Sequence, residues 1–136
     1  MSNIQLYPYL NFKGNCKEAF ELYHSVLGGE IELMMTHGES PMADQVPADW
    51  QDSVLHVRLN TGKAILMGSD SPPDYYQPPQ GLYVSIHIDT PEEAERIFAA
   101  LSEGGNVTMP LEKTFWATRF GMFSDRFGIP WMMNCE

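Results

Sequence analysis

Basic residues are scarce in this chain. Eight lysines and arginines stand against 18 aspartates and glutamates over 136 residues, a formal net charge of -10. A field of that sign repels phosphate backbones and anionic lipid surfaces. Nucleic acid and membrane are therefore not expected partners, while a cationic ligand would be drawn in. Long apolar runs are missing as well: none approaches the ~20 residues that a membrane-spanning helix needs. The opening MSNIQLYPYLNF has no basic-then-apolar leader pattern, so a cytoplasmic location is expected. Only two cysteines occur, Cys16 and Cys135. Neither forms a CxxC pair, which excludes a zinc knuckle or a thioredoxin-type centre built on that motif; both are expected as free thiols. There is no GxSxG elbow, P-loop or GxGxxG. Lacking a glycine-rich cofactor loop, the chain is not expected to be a methyltransferase.

What is present is a repeat. NCKEAFELYHSVLGG begins at Asn15 and TPEEAERIFAALSEGG begins at Thr90. Each reads as a helix opened by a polar N-cap with Glu18 or Glu93 three positions on, the capping-box pattern. Pro91 falls at the first helical position, where its missing N–H costs nothing. Ala19, Leu22, Tyr23 and Val26 recur as Ala94, Ile97, Phe98 and Leu101, the spacing of one buried helix face. A glycine pair stops each helix, Gly28-Gly29 and Gly104-Gly105. Cys16, at a helix N-terminus, sits where a thiol pKa is lowered if exposed; a packed, inert thiol is the expectation.

The repeat extends outward. YPYLNF from Tyr7 and YVSIHI from Tyr83 precede the helices, and EIELMM and NVTMPL follow them. Two further extended runs close each half. SVLHVRL and KAILMGS are joined through Asn60-Thr61-Gly62, and RFGMFSD and IPWMMNC through Arg126-Phe127-Gly128. Each turn carries a glycine suited to positive φ. The expected fold is therefore α+β: two tandem βαβββ modules, one over about residues 4–68 and one over about 82–136. Between them the proline-rich 69–81 reads as a linker. The irregular segment 36–52 reads either as a flap over a site or as an exposed loop.

Strand alternation sorts the faces. Leu82, Val84, Ile86 and Ile88 are expected against the helices, leaving Tyr83, Ser85 and His87 on the other side. Leu55, Val57 and Leu59 are likewise expected inward, with His56, Arg58 and Asn60 opposite. Leu10 and Phe12 point in, and Tyr7, Tyr9 and Asn11 point out. Two such sheets side by side would form an open groove with a polar and aromatic wall, suited to a small ligand. Candidate wall residues are Tyr7, His56, Arg58, Tyr83, Ser85, His87, Trp116, Arg119 and Met132. By parity Arg119 lies opposite Phe120 and Met122, so only a bulge or an edge position would aim it at the groove.

With these stretches in view the chain resembles the vicinal oxygen chelate superfamily, which includes glyoxalase I, bleomycin and fosfomycin resistance proteins and extradiol dioxygenases. It looks most like the PhnB-like branch. YLNFKGNCKEAFELYHSVLGGEI, LHVRLNTGKAILMGSD and FWATRFGMFSDRFGIPWMM carry the resemblance. Arg126 departs from the branch's usual Asp-Pro-Phe-Gly. The glyoxalase/bleomycin-resistance fold is implied, and so is a homodimer. The resemblance also implies a divalent ion held by His or Glu from the first and last strands of the modules. Those positions look like Tyr7, Tyr83, Leu66 and Met132; a slip of one residue offers Pro8, Val84, Met67 or Met133. None is a good ligand for Zn, Ni, Mn or Fe, so no cofactor is expected. A divalent site rebuilt around His56 and His87 is the alternative.

The leading expectation is thus a metal-free, homodimeric protein that binds a small organic ligand. Trp116 would stack on a planar group and Arg119 pair with an anionic one. Alternatives are sequestration of a cationic drug, as in bleomycin resistance, or a glyoxalase-like lyase, isomerase or dioxygenase with an unusual metal or with His87 as base. A partner role without any ligand is a further alternative.

Overall fold

The computed structural model describes residues 3–136. The chain divides into two compact units, Met1–Gln77 and Pro78–Glu136. Unit 1 runs β1 (Tyr9–Phe12), α1 (Cys16–Leu27), β2 (Glu30–Thr36), β3 (Val54–Asn60) and β4 (Ile65–Asp70). Unit 2 runs β5 (Val84–Ile88), α2 (Pro91–Ser102), β6 (Asn106–Glu112), β7 (Arg119–Ser124) and β8 (Pro130–Cys135). Each is βαβββ, as the repeat requires. Each sheet is mixed, in order β1-β4-β3-β2 and β5-β8-β7-β6. The first strand of each unit pairs parallel to the last, and the remaining pairs are antiparallel.

One helix covers one face of each sheet. In unit 1, Cys16, Ala19, Phe20, Tyr23 and Val26 are buried on α1, over Leu10, Phe12, Val57 and Leu59 of the strands. In unit 2, Ala94, Ile97, Phe98 and Leu101 are buried on α2, in a unit whose strands bury Phe123, Trp131, Met133 and Cys135. Fully burying an apolar side chain of this size contributes roughly 1.5–3 kcal/mol, so these stripes hold each sheet to its helix. The other face of each sheet carries no helix of its own unit.

Local details depart from the expected pattern at several places. Thr90 caps α2 by accepting the Glu93 N–H, but Glu93 does not close a capping box; its carboxylate pairs with Arg96 at 2.7 Å. Asn15 makes no side-chain cap at all. The α1 N-terminus is held instead by Asp70, whose Oδ1 accepts the N–H of Gly14 at 2.9 Å and of Cys16 at 3.0 Å. Asp70 Oδ2 accepts the Val54 N–H at 2.8 Å. Ser69 and Asp70 thus belong to β4, paired with Asn11 and Phe12, so the packed structure runs two residues into the stretch read as linker. Leu82 lies outside β5 and is exposed, and Leu55 is exposed where Val54 is 1% exposed. The β2–β3 register skips Leu55 between the Met35–His56 and Thr36–Val54 pairs, and this extra residue in β3 reverses the alternation at the start of that strand.

Segment 36–52 folds into three short 3-10 turns, His37–Glu39, Ala43–Gln45 and Ala48–Trp50. Gln51 ties the segment to itself by donating to the carbonyls of Ala43 and Val46, both at 2.9 Å. His37 Nδ1 lies 2.8 Å from Ser53 Oγ, whose own proton goes to the Trp50 carbonyl at 2.6 Å.

Candidate functional site

The helix-free faces carry most of the chemistry-bearing residues that the sequence nominates. In unit 1 the register aligns Tyr9 (β1), Met67 (β4), Arg58 (β3) and Leu33 (β2) in one row across the sheet. His56 stands two residues from Arg58 on the same face, opposite Met35. Its ring stacks on Tyr9 at 5.8 Å with an interplanar angle of 26°. The Tyr9 hydroxyl lies 3.4 Å from His56 Nδ1. Arg58 is fixed from two sides. Its guanidinium lies over the Tyr7 ring at 5.8 Å, and its Nε donates to Glu32 Oε1 at 3.0 Å. The other Glu32 oxygen accepts the Asn60 amide at 3.0 Å. Glu32 sits at a register shift in β2, between Ile31 and Leu33. Tyr7 itself precedes β1 and borders a surface recess of about 430 Å³ with Gln5, Asn60 and Lys63.

In unit 2 the corresponding row is Ser85 (β5), Met132 (β8), Met122 (β7) and Met109 (β6). The next row is His87, Asn134, Phe120 and Glu112. Ser85 Oγ and His87 Nε2 are 3.0 Å apart. Trp116, half exposed in the loop before β7, meets the Phe120 ring edge-on at 5.3 Å, which carries it to the margin of this face. Thr114 Oγ1 shapes that loop by accepting the N–H groups of Trp116 and Ala117. A second recess of about 480 Å³ opens there, between Lys113, Phe115, Trp116 and Glu136. Tyr83 precedes β5 and is exposed.

Two nominations change. Arg119 pairs with Cys135 in a β7–β8 register that runs unbroken to Ser124 and Pro130. No bulge turns it, so it stays on the helix side, where its Nε donates to Glu95 of α2 at 3.2 Å. Leu66, the position implied as a metal ligand in unit 1, is buried and pairs with Leu59 on the helix side. The β3–β4 turn joins Asn60 to Ile65, whereas the β7–β8 turn joins Ser124 to Pro130. The first turn is one residue shorter, with its glycine one place earlier relative to the strand. Met67 is therefore the counterpart of Met132.

The metal-bearing positions that the resemblance implies thus hold Tyr7, Met67, Tyr83 and Met132. Thioethers are soft donors that disfavour hard divalent ions, and a phenol with a free pKa near ~10 ligates only after losing its proton. These residues do not fit the superfamily's ion. Among the described residues no three His, Cys, Asp or Glu side chains cluster so as to hold one. Cys16 is no alternative centre. Burial, and next to it the Asp70 carboxylate, push its thiol well above the ordinary value, and it is 0% exposed.

Sequence reasoning left Tyr9, Asn11, Asn60 and, by parity, Met122 on these faces without nominating them; it offered Met67 only as a one-residue slip, and it missed Glu32 and Met109. Alternation along β7 finds Met122, whereas Met109 and Glu32 depend on register shifts that nothing in the sequence marks.

Fold and face together define a member of one superfamily. The model of the Glyoxalase/Bleomycin resistance protein/Dioxygenase superfamily matches residues 9–133, and the chain belongs to it. Protein YjdN of Escherichia coli K12 is 33% identical over 95% of this chain and 93% of its own. The crystal structure of protein PA1353 from Pseudomonas aeruginosa is 52% identical, with a TM-score of 0.90 over 98% of both chains. A PhnB protein from Bacillus cereus shares the fold at 21% identity, with a TM-score of 0.82 over 98% of this chain and 100% of its own. Among the described residues no helix is long and apolar enough to cross a membrane.

Proposed function

We propose that this chain is a small-molecule-binding protein that works without its superfamily's divalent ion, as a homodimer, its organic ligand lying on the helix-free sheet faces. One observation carries the reading: the positions expected to hold the metal present two tyrosines and two thioethers, while an oriented guanidinium and a stacked Tyr9–His56 pair stand beside them. Such a face binds by stacking and a few placed polar groups on an apolar lining. Preorganisation of Arg58 by Tyr7 and Glu32 lowers the entropic cost of contacting a ligand.

The test has two arms. Chelator-treated, tag-free protein is titrated calorimetrically with Ni, Zn, Mn and Fe(II); no stoichiometric uptake is expected. A library of planar organic fragments is then screened by amide NMR. Shifts are expected to gather on Tyr9, His56 and Arg58 or on Ser85, His87 and Met132. One divalent ion bound per site would overturn the metal-free reading and make a lyase, isomerase or dioxygenase the leading one. Fragments that shift only residues away from these faces would overturn the placement of the ligand.

A further inference from the structure

Three methionines stand side by side on the helix-free face of unit 2. Met109 of β6 is in register with Met122 of β7, and Met122 with Met132 of β8. Directly opposed residues of antiparallel strands project to the same side with Cβ atoms about 4.5–5.5 Å apart, so three flexible thioether arms rise from one short line. All three are partly exposed, whereas Met133, pointing the other way on β8, is 0% exposed. The alignment of Met109 is not a by-product of a regular strand. The β6–β7 register shifts on both sides of it, between Val107 and Met109 and again between Met109 and Glu112. Such irregularities re-aim side chains, and here they leave Met109 facing Met122. The row ends at Ser85 of β5, and no lysine or arginine lies in it or in the neighbouring row of His87, Asn134, Phe120 and Glu112.

We propose that Met109, Met122 and Met132 form a binding site for one soft monovalent metal ion, of the Cu(I) class, held by three thioether sulfurs. Thioethers are neutral, polarizable donors that select Cu(I)-type ions over hard divalent ones. The three arms are long enough to converge above the central Met122, whose neighbours flank it on both sides. A net charge of -10 favours a cation at any accessible face. This site goes beyond the organic-ligand reading and does not depend on it: it shares only Met132 with that reading, adds Met109 and Met122, and needs no groove.

Ag(I), a redox-stable stand-in for Cu(I), tests it. The full chain is labelled at its nine methionine methyls with carbon-13 and titrated with silver nitrate in chloride-free buffer. The methyl signals of Met109, Met122 and Met132 are expected to move together and to saturate at one equivalent. Met122→Leu and, independently, Met132→Leu keep the apolar volume; each should weaken Ag(I) at least tenfold, while Met67→Leu should not. Either variant suffices, provided its circular dichroism matches the parent. Three outcomes overturn the proposal: unresponsive methyls at one equivalent, movement of other methionines instead, or uptake that survives both variants but vanishes in a Cys16→Ala, Cys135→Ala chain. None of these bears on the fragment screen, so failure here and failure of the organic-ligand reading are distinguishable.

Discussion

Asp70, the last residue of β4, accepts the backbone N–H of Cys16, the first residue of α1, at 3.0 Å across 54 positions of sequence. The same carboxylate takes the N–H of Gly14 and of Val54, so one 4%-exposed side chain joins a helix start, a loop and the entry of β3. Unit 2 has a different buried anchor. Asp125, at the β7–β8 turn, accepts the Phe127 and Ile129 N–H groups and the Trp131 indole. Hydrogen bonds to a charged group are worth about 1.5–3 kcal/mol, and stranded donors add a desolvation cost. Asp70→Ala should therefore lower unfolding free energy by about 3 kcal/mol or more in urea titration. A change below about 1 kcal/mol would mean that water satisfies those donors and that the cap is dispensable.

The Cys16 thiol gives stability an alkaline limb. Its folded pKa is raised above the ordinary 9.0 by burial first and by Asp70 second. Below pH 9 both states hold the proton and the contribution is complete. Above it the unfolded chain releases the proton while the folded one keeps it, so stability falls as pH rises, by up to about 1.4 kcal/mol per pH unit. Cys16→Ala should flatten the decline measured by denaturant titration between about pH 9 and 10.5, whatever it does to stability at pH 7. An unchanged slope would show that the thiol ionises in the folded state.

The helices, their buried stripes and the βαβββ succession of elements along the chain were legible because each is written locally, in periods and turn residues. What was not legible is what depends on partners far along the chain. Asn15 reads as a cap, but Asp70 reaches the α1 N-terminus first. The turn glycines Gly62 and Gly128 look equivalent, yet the two hairpins differ by a residue, which moves the open-face position from Leu66 to Met67. Leu55 and Glu32 are the extra residues at two irregularities of the β2–β3 pairing, one in each strand, that composition does not announce. Parity alone put Arg119 on the helix side, and the unbroken β7–β8 register keeps it there.

Close approach of helix to sheet rests on glycine at one point in each unit. A Cβ on Gly68 would come within 2.7 Å of the Phe20 ring and 2.9 Å of the Leu10 carbonyl, and one on Gly121 within 2.7 Å of the Phe98 ring. Neither glycine has positive φ, so the penalty is steric. Gly68→Ala and Gly121→Ala should each cost about 1–3 kcal/mol, the range for overpacking a close-packed core. A stabilising alanine would show that the helix lifts freely and that the packing is looser than these contacts imply.

Stability and binding should separate at the Arg58 network. The Arg58–Glu32 pair is more than a third exposed on both sides, and exposed pairs contribute about 0–1 kcal/mol. Glu32→Gln should therefore move Tm by less than about 5 °C. It should still remove the charge and one of the two acceptor oxygens that Arg58 and Asn60 share, so that the two donors compete for the remaining amide oxygen and the guanidinium is less firmly oriented. If the unit 1 face binds ligand through an oriented Arg58, any fragment that shifts Arg58 and His56 in the parent should bind this variant several-fold more weakly. An unchanged fragment affinity with an unchanged Tm would mean that Glu32 merely neutralises a surface arginine. A large fall in Tm would mean instead that the network holds β2 to β3, and its geometry would then belong to the fold rather than to the ligand.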